Sequence, residues 1–94
     1  MTYRVRWKNI ARDQLATIWM DATDRAAVTA ATQQIDAMLQ ADPDSRGESR
    51  PGYRRILIVL PLAVVFKVQE QEQKVIVLSV RYIPPRAHGQ LLGS

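Results

Sequence analysis

The chain of 94 residues contains no cysteine, an absence that removes disulfides, thiolate zinc sites and cysteine nucleophiles together and fits a reducing compartment. Histidine is almost as scarce. The single one, His88, stands in a Pro-rich tail, where an imidazole reads as a solvated bystander rather than a catalytic base. Long apolar runs are lacking too, since the longest is interrupted by Pro61 and Lys67. With no charged leader followed by an apolar run and a cleavage site, the expectation is a cytoplasmic protein, neither secreted nor membrane-spanning. Asp42, Asp44 and Glu48 fall close together, but without a Gly-turned calcium loop or a His pair they read as helix-end and turn residues. No metal or other cofactor is expected.

What is present describes one small folded domain. At 47% hydrophobic and 23% charged residues, the chain is too apolar and too mixed in charge to be disordered, and its stability must come from packing. The formal charge of +4 is unevenly spread. Residues 1–45 hold five basic and six acidic side chains, whereas residues 46–94 hold eight basic and three acidic ones. Ten of the thirteen basic residues are Arg. The planar guanidinium fork binds phosphate in a bidentate way, so this bias points to an anionic partner, nucleic acid before others.

Along the chain, Tyr3-Arg4-Val5-Arg6-Trp7-Lys8 alternates apolar and basic residues, the pattern of a half-buried strand with Tyr3, Val5 and Trp7 facing the core. From Asn9, a plausible N-cap, the period changes. Ala11, Leu15, Ile18 and Trp19 recur on one helical face to about Asp21. Thr23-Asp24 then offers a cap for a second helix whose buried stripe is Ala27, Val28, Ala31, Ile35, Met38 and Leu39, ending at Asp42-Pro43. So short a link predicts a helical hairpin lying on one face of a sheet. Both Trp7 and Trp19 read as core anchors.

Residues 42–52 are polar and turn-rich and read as an exposed loop. After them come three adjacent strands: Ile56–Leu60 behind Arg54-Arg55, Leu62–Val68, and Lys74–Tyr82. In the second, Leu62, Val64, Phe66 and Val68 alternate with Ala63, Val65, Lys67 and Gln69. In the third, Ile76, Leu78, Val80 and Tyr82 alternate with Val75, Val77, Ser79 and Arg81. The middle strand is apolar on nearly both sides and is expected to be central, with helices on one face and a partner over part of the other. Glu70-Gln71-Glu72-Gln73 forms the polar turn, and Pro84-Pro85 ends the last strand. The fold class is therefore α+β: an N-terminal strand, a helical hairpin and a three-stranded antiparallel meander. Residues 1–83 are expected to form the single domain and residues 84–94 a flexible tail.

This element order, with Tyr3-Arg4-Val5-Arg6-Trp7, the Ala11, Leu15 and Ile18 face, Gly47-Glu48-Ser49-Arg50, Arg54-Arg55-Ile56-Leu57 and the two strands that follow, resembles the RelE/ParE superfamily of bacterial type II toxin–antitoxin toxins. The resemblance covers Tyr3 to about Tyr82. It implies a growth-inhibiting toxin, held inactive by a cognate antitoxin, that cleaves mRNA in a ribosome-dependent way. A ParE-like poison of DNA gyrase and a non-catalytic module of the same fold are the alternatives. The residues it singles out are Arg55, Arg81 and Tyr82 for catalysis and Arg50, Arg54 and Arg86 for binding nucleic acid or target. Where RelE-like members often read Tyr-Arg-x-x-Tyr on the middle strand, this chain reads Leu62-Ala63-Val64-Val65-Phe66. Ala63 thus stands where an Arg would meet the phosphate.

The chemistry can be weighed without the family. Cleavage of RNA by its own 2′-hydroxyl needs a base, positive charge on the non-bridging oxygens and an acid for the leaving group. Arg supplies the second role, and its high pKa makes it a poor choice for the first.

Overall fold

A computed structural model describes residues 2–41, 48–50 and 54–84, with residues 48–50 described by their backbone alone. The order is β1 (Arg4–Trp7), α1 (Asn9–Asp21), α2 (Arg25–Ala41), β2 (Glu48–Arg50), β3 (Arg54–Val59), β4 (Leu62–Gln69), a 3-10 turn (Glu70–Glu72) and β5 (Lys74–Tyr82). The strands make one sheet in the order β1-β5-β4-β3-β2. β3, β4 and β5 form the antiparallel meander. β1 joins its outer side in parallel, Val5 opposite Val75 and Trp7 opposite Val77. A parallel neighbour needs a long crossover, and the two helices together with β2, β3 and β4 supply it.

Both helices pack on one face of the sheet, α1 against β5 and α2 against β1, β3 and β4. Between them and the sheet lies the core: Ala11, Val28, Ala31, Ile35 and Leu39 from the helices, and Leu57, Leu62, Val64, Phe66, Val75, Val77 and Val80 from the strands. Among the described residues no polar or charged residue is buried. The stripe on α2 follows the i, i+3, i+4 spacing that keeps one helical face inward, with Ala27 and Met38 at its half-buried margins. Asp24 caps this helix, its Oδ1 accepting from the Ala27 amide at 3.0 Å.

Four local features depart from the sequence-based expectations. Within the loop expected over residues 42–52, Glu48–Arg50 pairs antiparallel with β3. Three polar residues carry no strand period of their own, and the open edge of β3 provides the partner that makes a strand of them. The remainder of that loop lies outside the described residues, as does the tail from Pro85 onward. At the start of α1 the cap position is Lys8, not Asn9, and no side chain caps it. The Lys8 amide is already bonded to the Val77 carbonyl at 3.0 Å, so sheet pairing sets where the helix begins.

Trp19 is not a core anchor. It is 42% exposed on the outside of the hairpin, where its ring carries the Arg25 guanidinium 4.8 Å from the ring centroid. Arg25 also donates to the carbonyls of Trp19 and Met20 at 3.0 and 2.9 Å, satisfying two of the orphan acceptors at the end of α1. Trp7 does pack against the core, and its Nε1 donates to Asp36 at 2.9 Å, tying β1 to α2.

The fourth departure is in β5. Val65 of β4 stands opposite Ser79, but the next residue, Phe66, stands opposite Val77. Leu78 is therefore an extra residue, a β-bulge, and such an insertion reverses the face of every residue beyond it. Val75 and Val77 are buried before it, Val80 after it. The regular alternation expected from the sequence is broken at that one position.

Candidate nucleic-acid interface

The face of the sheet turned away from the helices is built by strand alternation and the register. Across β4, β5 and β1 one row reads Gln69, Lys74, Arg4 and the next Lys67, Ile76, Arg6. Beyond the bulge, across β3, β4 and β5, the rows read Ile56, Val65, Ser79 and then Ile58, Ala63, Arg81. Arg54, one residue before the Arg55 that faces Phe66, belongs to the Lys67 row. None of these residues is buried. One half of the face is cationic, and the other is aliphatic with Arg81 at its margin.

The bulge at Leu78 delivers Arg81 to this face. Without it, the period running from Val75 and Val77 would turn Arg81 under the helices. With it, Arg81 is exposed opposite Ala63, while Tyr82, opposite Leu62, turns inward and packs half-buried against the core.

The residues singled out from the sequence thus divide between two faces. Arg54 and Arg81 share the open one, and Arg55 and Tyr82 lie on the helix side, at the Phe66 and Leu62 positions respectively. Four residues along β4 separate the two rows. With ordinary strand spacing, the Cα atoms of Arg54 and Arg81 are about 16 Å apart. Arg50 stands opposite Arg54 in the register of β2 with β3. Arg86 and His88 lie outside the described residues, as do Asp42 and Asp44.

Arg81 and Tyr82 do meet at one place, a groove of about 440 Å³ between α1 and the end of β5, lined also by Ile10, Asp13, Gln14 and Val80. β1 pairs with β5 only as far as Val77, so the rest of that edge would be bare. Gln14 covers it, its Oε1 accepting from the Val80 amide at 2.9 Å. Asp13 and Gln14 were missed in reading the sequence because they are polar positions of a helix, and nothing local to them signals the strand they approach.

Among the described residues, the side chains of Arg4, Arg6, Arg54, Lys67 and Arg81 have no ion pair or hydrogen-bond partner. Lys74 is 3.5 Å from Glu72 in an exposed pair, a contact that contributes little. No group of three or more metal-ligating side chains occurs among the described residues. The open face can therefore hold anionic oxygens through Arg and Lys. No His or Asp stands among the described residues of that face, and the register puts Glu48 opposite Ile56, in the row of Val65 and Ser79.

No family model matches the chain, and no curated protein matches it. Solved structures do. The toxin–antitoxin complex RelBE2 of Mycobacterium tuberculosis is similar at 18% identity and a TM-score of 0.72, over 87% of this chain and 99% of that one. The chromosomal ParDE system of P. aeruginosa is similar at 17% identity and a TM-score of 0.71, over 88% and 98%. A third, TrmO of Pseudomonas aeruginosa, reaches 24% identity and a TM-score of 0.58 over 85% of this chain but only 35% of its own. The chain thus has the RelE/ParE-like fold. That fold also occurs as a fraction of a longer protein.

Proposed function

We propose that this protein is the toxin of a type II toxin–antitoxin pair and that it arrests growth by acting on mRNA at the ribosome through the open face of its sheet. The observation that carries the reading is the set of unpartnered cations on that face, Arg54 and Arg81 included. Exposed guanidinium groups without internal acids gain most from a partner that brings phosphate. The fold shared with RelBE2 and ParDE supports the toxin assignment. In this reading Arg81 and Arg54 hold phosphate oxygens, with Arg50 and Arg86 extending the surface. Tyr82 and Arg55, on the inner side, position the strand ends.

The antitoxin is proposed to dock on the helical hairpin. A largely apolar groove of about 670 Å³ runs between the outer sides of α1 and α2, lined by Leu15, Trp19, Met20 and Val28 among others. Met20 is 66% exposed there. An amphipathic segment laid into such a groove would bury these side chains.

One observation favours a second reading, a gyrase poison that acts by binding alone. Ala63 stands directly opposite Arg81 where an Arg would complete a phosphate clamp. Induced expression in a bacterial host, with translation and DNA synthesis followed together, separates the readings. Translation failing first supports the RNA reading. DNA synthesis failing first replaces it with the gyrase reading, and undisturbed growth with soluble folded protein removes both. Ala63→Arg projects to the open face and is expected to raise cleavage of ribosome-bound mRNA. A folded variant with no gain would count against the RNA reading.

A further inference from the structure

Arg4, Arg6, Lys67 and Lys74 lie at the opposite end of the open face from Arg81, with Lys67 in the row that Arg54 begins. They cluster at the end of the open face where β1 joins the sheet. The register sets Arg4 directly beside Lys74 and Arg6 one strand away from Lys67, across Ile76. Along β1, Arg4 and Arg6 are about 7 Å apart, and Lys67 lies about 10 Å from Arg6. Like charges directly opposite one another weaken a sheet. Yet the only described acid paired with the group is Glu72, on Lys74. Arg4 and Arg6 are exposed, and neither they nor Lys67 has a partner among the described residues. A structural role for these cations would call for counter-charges, and a purely solubilising one does not explain why they share one face.

We propose that this cationic corner is a phosphodiester-binding surface that tracks the backbone of single-stranded RNA across β1, β5 and β4, remote from Arg81. It rests on the reading of the open face as an RNA surface and adds a holding site to it. Bridging Ile76, Arg6 and Lys67 engage non-adjacent phosphates, so recognition is by charge and spacing and not by base identity. Such a surface keeps RNA registered on the sheet while the Arg81 end engages it elsewhere.

The test uses the purified full chain and a labelled oligouridine of about 20 nucleotides, long enough to cross the face. Replacing Arg4→Gln, Arg6→Gln and Lys67→Gln together should weaken binding by roughly ten-fold or more at about 50 mM salt, and should lower the slope of log K against log salt by about 2. The charge-preserving set Arg4→Lys, Arg6→Lys and Lys67→Arg should bind nearly as the parent does. The thermal midpoint of the Gln variant should hold or rise as like charges are relieved. Should it fall, Arg6→Gln alone on the edge strand repeats the test, with a smaller loss of slope, about 0.7. Unchanged affinity and slope in the folded variants would overturn the proposal. So would polyglutamate of similar length competing as well as the oligouridine, which would make the corner a site for an acidic protein segment. Growth arrest on induction of the parent chain is scored separately, so loss of RNA binding in the Gln variant with no arrest by the parent removes the toxin reading alone, and arrest by the parent with undiminished RNA binding in the Gln variant removes only this one.

Discussion

The two faces of the sheet are made from the same strands and obey opposite rules. On the helix side, Leu62, Val64 and Phe66 are fully buried, and so are Val75 and Val77. On the open side, the residues interleaved with them include Lys67, Arg81 and, on β1, Arg4 and Arg6, and none of these four has an ion-pair partner among the described residues. The inner face is under the constraint of close packing, where each methylene counts. The outer face is under none, and its charges are free to serve a partner. The same alternation that builds the core therefore builds the interface, and Leu78 is the position that links them.

Removing Leu78 is the strongest way to break the comparison. Deletion restores regular alternation, turns Val80 outward and drives Arg81 under the helices, where an unpaired guanidinium costs several kcal/mol. The expected outcome is a chain that fails to fold cooperatively, seen as loss of the thermal transition. Phe66→Ala comes next. It empties the centre of the core and should lower unfolding stability by about 3–5 kcal/mol in a denaturant titration. Gln14→Ala leaves the Val80 amide without its acceptor and should cost about 1 kcal/mol in the same measurement. Least disturbing to the fold, Arg81→Ala should change stability by less than about 0.5 kcal/mol while abolishing growth inhibition, as should Arg54→Ala. If both Arg variants remain fully toxic, the open face is not the working surface.

Much of this was legible in the residues. Val28, Ala31, Ile35 and Leu39 announced their helical face, and Leu62, Val64 and Phe66 their strand face, because each depends on a local period. Arg54 and Arg81 were recognisable as candidates by type and position. That Arg54 and Arg55 point to opposite faces was legible too, from strand alternation; that Arg81 shares the face of Arg54, and Tyr82 that of Arg55, was not. That division turns on a single inserted residue whose effect exists only in the pairing with β4. Trp19 misled for a related reason. Its spacing fits the stripe of α1, but Ile18 takes the position packed against the core, and the Trp19 ring turns to the neighbouring helix, held by Arg25 and bonded to Thr29.

By itself, then, the sequence determined the order and type of most elements, the apolar stripes that must be covered, and the surplus of Arg in the second half. These follow from periodicity and composition, which are properties of neighbouring residues. The tertiary structure alone decided that β1 joins β5 in parallel, that Glu48–Arg50 becomes a strand, that Leu78 is a bulge, and hence which cations stand together. Each of these is fixed by backbone hydrogen bonds from one strand to another, and a bond of that kind leaves no trace in the residues on either side of it.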